Sequence, residues 1–362
     1  NQYPNKFWSN KHNQQAGAFG TRCGKYWIIK NNIIRYANCV GIDWGNEGNL
    51  NQDLEHGDNG EANGSYGHQI IDNIICDNGA AGTAAYMANA FTFNKNIVER
   101  NNNLHFYGKQ RWESGGVKVH RPKKSTFNHN IIRNNYCHGL WSDQGAGVDT
   151  TYSNNIFHSN SRSGLEFEIG YDMDAKVINN VFDDNDCGIR FSTSGGVLIS
   201  NNIFIKSKTY DIYTHFFNRG DKWDSLNLNI FYNLFCHSPQ YFKLTQNSED
   251  PPSQRALGQN TYMVDDDTKF QVTYDKHNKP FFNYDSWKDI FGEDSVVLET
   301  PGEAHLDCSG NTYTLHLSMS NTPLLSKNEK MGSDKDFFGN LWGEYCCSGP
   351  VIPSESKSYC LC

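Results

Sequence analysis

No apolar run in the chain approaches the ~20 residues a membrane-spanning helix requires, and only 37% of its 362 residues are hydrophobic. Basic blocks and basic stripes are missing as well. With a formal net charge of −8, this argues against nucleic acid as a partner, because phosphate contacts need clustered cations. Helical periodicity is absent throughout. A globule buried on both sides normally holds more aliphatic residues than this. The first residues do not read as a signal peptide, so a leader is expected to have been removed or to lie outside the sequence.

Aromatic residues make up 14% of the chain, and it holds 32 glycines. Disordered chains are poor in aromatics, so this one folds. The balance suits an elongated solenoid, whose thin core needs few apolar residues per coil. A repeat supports this. An Asn followed by two apolar residues recurs at Asn32, Asn73, Asn96, Asn130, Asn155, Asn180 and Asn202, with intervals of 41, 23, 34, 25, 25 and 22. The short intervals match one coil of a β-helix, and the long ones are coils with insertions. An Asn at one place in every coil can stack into an inward amide ladder, so these residues are structural.

About nine residues after each ladder Asn a second strand opens with Gly and a small or branched residue: Gly41-Ile42, Gly82-Thr83, Gly116-Val117, Gly139-Leu140, Gly164-Leu165 and Gly188-Ile189. Asp211-Ile212 fits the register without the glycine. Glycine here suits a corner that turns tightly or takes positive φ. The expected fold is all-β, a single-stranded right-handed parallel β-helix (a solenoid) with an irregular C-terminal cap. Coils are expected over residues 1–239, with insertions at 45–67 and 101–115 that wall one face. Residues 240–362 would form the last irregular coils and a Cys-rich cap. The first residues show no cap, so the chain is expected to start partway along a longer helix.

Cysteine usage is uneven among the 11 present. Cys39, Cys76, Cys137 and Cys187 sit singly in the repeats and read as small buried apolar residues. Cys346, Cys347, Cys360 and Cys362 crowd the tail, which suggests disulfides in an oxidising compartment; the spacing is not the paired CxxC of a zinc site.

Side chains alternate along a strand. Counting from the corner glycine, the first and third residues are mostly apolar and point inward. The second and fourth then point outward: Lys118/His120, Trp141/Asp143, Glu166/Glu168, Arg190/Ser192 and Tyr213/His215, with Asp43 higher up. A merely solvated face seldom lines up Trp and Tyr with His, Asp and Glu. An exposed Trp beside carboxylates is what a sugar-binding groove needs. Asp143 and Glu168 occupy equivalent places on adjacent coils, and Glu166 lies two residues from Glu168 on the same face. Crowded carboxylates split their pKa values, so that one can donate a proton while another stays ionised. Glu113 could supply a further carboxyl from the insertion. Three carboxylates could instead take calcium, although no acidic calcium-loop motif is present.

The stretches GAFGTRCGKYWIIKNNIIRYANCVGID, RWESGGVKVH, GLWSDQ and SGLEFEIG, with the later FFNYDSWKDIFGEDSV and DFFGN, resemble the secreted bacterial right-handed parallel β-helix proteins of the pectate-lyase superfamily, which include β-helix glycoside hydrolases. By that resemblance Glu113, Lys118, Asp143 and Glu168 match recurrent polar positions, and further coils precede the GTR segment. The CC…CxC tail departs from the pattern. The implied protein is a secreted, extracellular or periplasmic, carbohydrate-active enzyme acting on a poly- or oligosaccharide. It is expected to be a glycoside hydrolase with Asp143 and Glu168 as acid and nucleophile or base, and with Glu166 or Glu113 tuning or replacing one of them. Trp141 and Tyr213 would be sugar platforms, and Lys118, His120, Arg190 and His215 would orient the substrate. A polysaccharide lyase, or a structural or adhesive β-helix that self-associates end to end, remains open.

Overall fold

The computed structural model describes residues 17–21, 24–45, 65–105, 114–144, 147–170, 173–215, 227–244, 255–264, 272–274, 279–292, 294–298, 302–319, 325–326, 331–343, 345–351 and 357–361. Most of both expected insertions, and with them Glu113, lie outside these residues.

Each coil contributes one strand to each of three long sheets. In one coil these are Thr126–Asn128, Ile131–Arg133 and His138–Asp143. Each strand pairs in parallel with its counterparts in the coils before and after. We call these the second, third and first sheets; they hold 9, 10 and 11 strands. The fold is therefore the expected parallel β-helix.

The corner between the second and third sheets shows how the sequence makes it turn. Every ladder Asn is preceded by a left-handed non-glycine residue, from Asn31 to Gln259, with φ between 52° and 59°. Such a residue costs about 1–2 kcal/mol, and the ladder offsets that cost. In the middle of the stack, Asn155 Oδ1 accepts from both the backbone N–H and the side-chain amide of Asn130, each at 2.9 Å. Its own amide donates to Phe127 O and to Asn180 Oδ1, both at 3.0 Å. Every donor and acceptor of a fully buried amide is thus used. The ladder also runs beyond the seven segments of the repeat, through Asn233, which carries the same signature in Leu234-Phe235, and Asn260, which does not.

A second ladder runs up the next corner through Asn78, Asn101, Asn135, Asn160 and Asn185. It bears on the corner glycines, which were expected to serve a tight turn or a positive φ. None of Gly41, Gly82, Gly116, Gly139, Gly164 or Gly188 has positive φ. A Cβ on Gly82, Gly116 or Gly139 would instead lie 2.7–2.9 Å from the ladder amide of Asn101, Asn135 or Asn160. Glycine is required there for close approach. Where the ladder residue shrinks to Ser207 and Ser238, Asp211 replaces the glycine and its carboxylate accepts from Ser238 Oγ at 2.7 Å.

Inside, one aromatic per coil stacks on the next. Phe157, Phe182, Phe204 and Phe235 lie with ring centroids 4.8–4.9 Å apart and planes within 7° of parallel. This is the strand spacing repeated in side chains. The expected inward residues of the first sheet, Val117, Val119, Leu140, Leu165, Phe167, Ile189, Phe191 and Ile212, all belong to this core. The parallel sheets continue past residue 239 as far as Leu298.

Among the described residues there is one helix, Tyr284–Phe291, where no helical periodicity was expected. At eight residues it is too short for a clear period. Its caps are nonetheless explicit: Asn283 Oδ1 accepts from Ser286 N, and Gly292 is left-handed. Its Trp287 stacks on Phe242 at 5.4 Å and covers the last coil of the core. Beyond it, Glu303–Ser309, Thr312–Ser318 and Lys357–Cys360 form an antiparallel sheet. Ala304, Tyr313, Leu315 and Leu317 of that sheet pack against Ile131, Ile156, Val181, Ile203 and Leu234, on the outer side of the third sheet. The C-terminal part thus lies along the flank of the coils as well as over their end.

Cys39, Cys76, Cys137 and Cys187 are buried, as expected. Among the described tail cysteines Cys346 and Cys347 are buried, Cys360 is exposed, and none forms a disulfide. No described helix is long and apolar enough to cross a membrane.

Candidate functional site

The outward residues of the first sheet stand in two parallel columns, in the register expected from the alternation. One runs Ala84, Lys118, Trp141, Glu166, Arg190, Tyr213, Lys243; the other runs Tyr86, His120, Asp143, Glu168, Ser192, His215. Asp43 pairs with Ala84 above. A third row, Ala81, Gly115 and His138, with Ser163, Cys187 and Tyr210 below it, lies just before the corner glycines.

Outward does not mean exposed. Lys118, His120, Trp141, Asp143 and Glu166 are each 6% exposed or less. Glu168, Arg190, Tyr213 and His215 are half-buried. The columns therefore have a buried upper part and an open lower part. This corrects the expectation of an exposed Trp141. The Lys118 ammonium sits 3.3 Å from the centre of the Trp141 ring, and His138 packs against it at 4.9 Å, so the ring face is occupied.

Two carboxyls in the buried part live in opposite environments. Lys118 Nζ donates to Asp143 Oδ2 at 2.7 Å, and His120 Nε2 lies 3.4 Å from the same oxygen. Gln144 N–H donates to Oδ1 at 2.7 Å. Burial alone would raise the Asp143 carboxyl, but Lys118 and His120 outweigh it and hold the group well below the usual carboxylate range. One coil on, burial dominates at Glu166 and pushes its carboxyl up to about 7. Arg190, at 3.6 Å, and Ser192 Oγ, donating at 2.7 Å, only partly oppose that rise, and the nearby Glu168 adds to it. His138 Nδ1 stands 3.6 Å from Glu166 and is hydrogen-bonded to Ser163 Oγ. At neutral pH Asp143 is ionised, whereas Glu166 stands near the middle of its titration and keeps its proton for about half the time.

In the open part, Tyr213 OH is hydrogen-bonded to His215 Nδ1 at 2.9 Å. Arg190 and Lys243 lie over the Tyr213 ring at 5.6 and 5.3 Å. Burial lowers the His215 pKa, and the two cations lower it further.

All nine described candidates fall on this one surface; Glu113 lies outside the described residues. Asp143 is in register with Glu168, as expected; Glu166, the carboxyl expected to tune or replace one of the two, is the one whose proton affinity burial raises. His138, Ser163, Tyr86 and Lys243 were missed. The alternation breaks at the corner, where Gly139 faces the amide ladder and Leu140 faces the core, so counting outward positions from the glycine hides His138 and Ser163 just before it. A cavity of about 440 Å³ between Lys176, Asn179 and the segment Lys335–Phe338 shares no residue with these columns.

A family model described as "Right handed beta helix region" matches residues 16–204. No curated protein sequence matches the chain. Among solved structures it is similar to XylC in complex with xylose, with a TM-score of 0.66 and 16% identity over 98% of this chain and 64% of that one. It is also similar to the A-module of the Azotobacter vinelandii mannuronan C-5 epimerase AlgE6, with a TM-score of 0.53 and 14% identity over 77% of this chain and 65% of that one. The chain thus spans just under two thirds of either protein, and at these identities the likeness is one of fold.

Proposed function

The chain belongs to the right-handed β-helix family, and we propose that it is an extracellular or periplasmic glycoside hydrolase acting on an oligo- or polysaccharide along the first sheet. The observation that carries this reading is the divided protonation of Asp143 and Glu166. Glycoside hydrolysis needs one carboxylic acid to protonate the leaving oxygen and one carboxylate to meet the positive charge that develops at the anomeric carbon. Protonated Glu166 is the acid. Asp143, kept ionised by Lys118 and His120, is the nucleophile or the base. Glu168 raises the proton affinity of Glu166 and borders the open part, where Tyr213, Arg190 and His215 receive the neighbouring sugar. The similar structures, a xylose complex and a mannuronan epimerase, support sugar chains as the substrate class.

A lyase is less well served. It needs a cation to neutralise a uronate carboxylate and a base to abstract the adjacent proton. Here Lys118 is committed to Asp143, and Arg190 faces Glu166. The test is a panel of aryl glycosides and oligosaccharides with Asp143→Asn and Glu166→Gln alongside. Released reducing sugar that both substitutions abolish supports the reading, and the anomer first formed tells whether Asp143 acts as nucleophile or base. An unsaturated product absorbing in the ultraviolet would replace it with the lyase, and inertness towards the whole panel would favour an adhesive role.

A further inference from the structure

The antiparallel sheet on the flank of the coils carries a second group of chemically active side chains. Along Glu303–Ser309 and Thr312–Ser318, Ala304, Tyr313, Leu315 and Leu317 face the coils. The alternate residues His305, Asp307 and His316 therefore share the outer face. His305 and His316 are directly opposite across the strand pair, and their rings stack at 4.5 Å with planes 14° apart. Both rings turn Nε2 to one carboxylate, one oxygen each: His316 Nε2 lies 2.9 Å from Asp307 Oδ2, and His305 Nε2 lies 3.8 Å from Oδ1. The three ligand atoms all lie within 4.8 Å of one another. On the other side of His316, Ser358 of the third strand is hydrogen-bonded to Nδ1 at 2.7 Å.

We propose that His305, Asp307 and His316 bind a divalent transition-metal ion of the zinc class. A lone carboxylate neutralises only one imidazolium, and two stacked imidazoliums repel each other. A divalent cation at the point of convergence lets both rings stay neutral. Zinc bonds of about 2.1 Å at a tetrahedral angle place ligand atoms about 3.4 Å apart, between the 2.9 and 3.8 Å separations present. Two imidazoles and one carboxylate are the donor set of zinc, cobalt, nickel or copper rather than of calcium. Ser358 is the outer partner of His316: ligation through Nε2 puts the proton on Nδ1, where the Ser358 hydroxyl can accept it and hold the ring in place. With three protein ligands on an exposed face, at least one coordination position is open to water or to an oxygen of an external ligand.

The experiment is titration of the untagged full chain with Co²⁺, followed by visible absorption, and then displacement by Zn²⁺ measured by calorimetry. One equivalent of Co²⁺ with a weak visible band, displaced by Zn²⁺, is expected. His305→Gln and His316→Gln should each abolish it, and Ser358→Ala should weaken it about 10- to 100-fold. No uptake by the parent chain overturns the proposal. So does uptake that survives the double His305→Gln/His316→Gln substitution, or an intense near-ultraviolet thiolate band, which would place the metal on cysteines. The glycosidase assay does not enter this test, so the two readings stand or fall separately.

Discussion

The amide ladder and the outward columns are built alike: each is a stack of polar side chains at one register position, repeated coil after coil. They differ in uniformity. From Asn32 to Asn260 the ladder holds one residue type, and each member satisfies the next. In the columns no two neighbours among Lys118, Trp141, Glu166, Arg190 and Tyr213 are alike. A stack that only has to hold coils together is best served by a group that bonds to copies of itself. A stack of unlike groups gains nothing from repetition, and its members take their protonation states from one another.

The sharpest break between the two is expected at Glu166. Glu166→Gln should cut kcat by about 10²- to 10⁴-fold while leaving the urea midpoint at pH 4 nearly unchanged, because there the amide replaces a carboxyl that is protonated in the folded chain and largely so in the unfolded one. A large loss of stability would instead make Glu166 a structural residue like those of the ladder. Asp143→Asn should damage both properties, since it strands the buried Lys118 ammonium at a cost of about 3–5 kcal/mol. Adding Lys118→Met should restore stability and not activity. If the double substitution restores activity as well, Asp143 serves only the ion pair. Asn155→Ala is the converse. It removes four hydrogen bonds for an expected loss of about 3–5 kcal/mol in chemical unfolding, with kcat per folded molecule unchanged.

A smaller effect comes from pH. The folded pKa values of Glu166 and Asp211, each about 7, lie above those of the unfolded chain. Their stabilising protonation is thus fully present below about pH 4 and is lost as pH rises towards 7, on the order of 3 kcal/mol each. Unfolding measured from pH 4 to 8 should flatten in part with Glu166→Gln and in part with Asp211→Asn. Only the first should also move the pH–activity profile; a shift with the second would tie the lower corner to the site. Least of all, Tyr213→Ala should raise KM about 3- to 10-fold with kcat nearly kept, the worth of one aromatic face.

The fold was readable because its signal is periodic. Seven Asn-apolar-apolar segments and the following Gly set both the coil and the register that aligns the columns. The second ladder went unread because the residues after Asn78, Asn101 and Asn135 vary, and an amide without a flanking pattern looks like loop composition. The corner glycines were found, but positive φ was not their reason at Gly82, Gly116 and Gly139, since close approach to an amide one coil away leaves no trace in local sequence. Residue type placed Asp143, Glu166 and Glu168 together. It could not tell which two would be driven apart in pKa, because that follows from Lys118 reaching down one coil and from how little water reaches Glu166.

The uneven spacing of the ladder also orders the way the chain assembles. Neighbouring amides are separated by 22 to 25 residues between Asn130 and Asn202, but by 41 between Asn32 and Asn73. Closing the 41-residue loop costs about 0.5 kcal/mol more chain entropy than closing one of 23. Coils in a solenoid nucleate locally and propagate to their neighbours. The compact coils carrying Asp143 and Glu166 are therefore the natural nucleus, and their amides should be the last to exchange hydrogen for deuterium. The stretch that places Asp143 and Glu166 is thus also the first to become rigid.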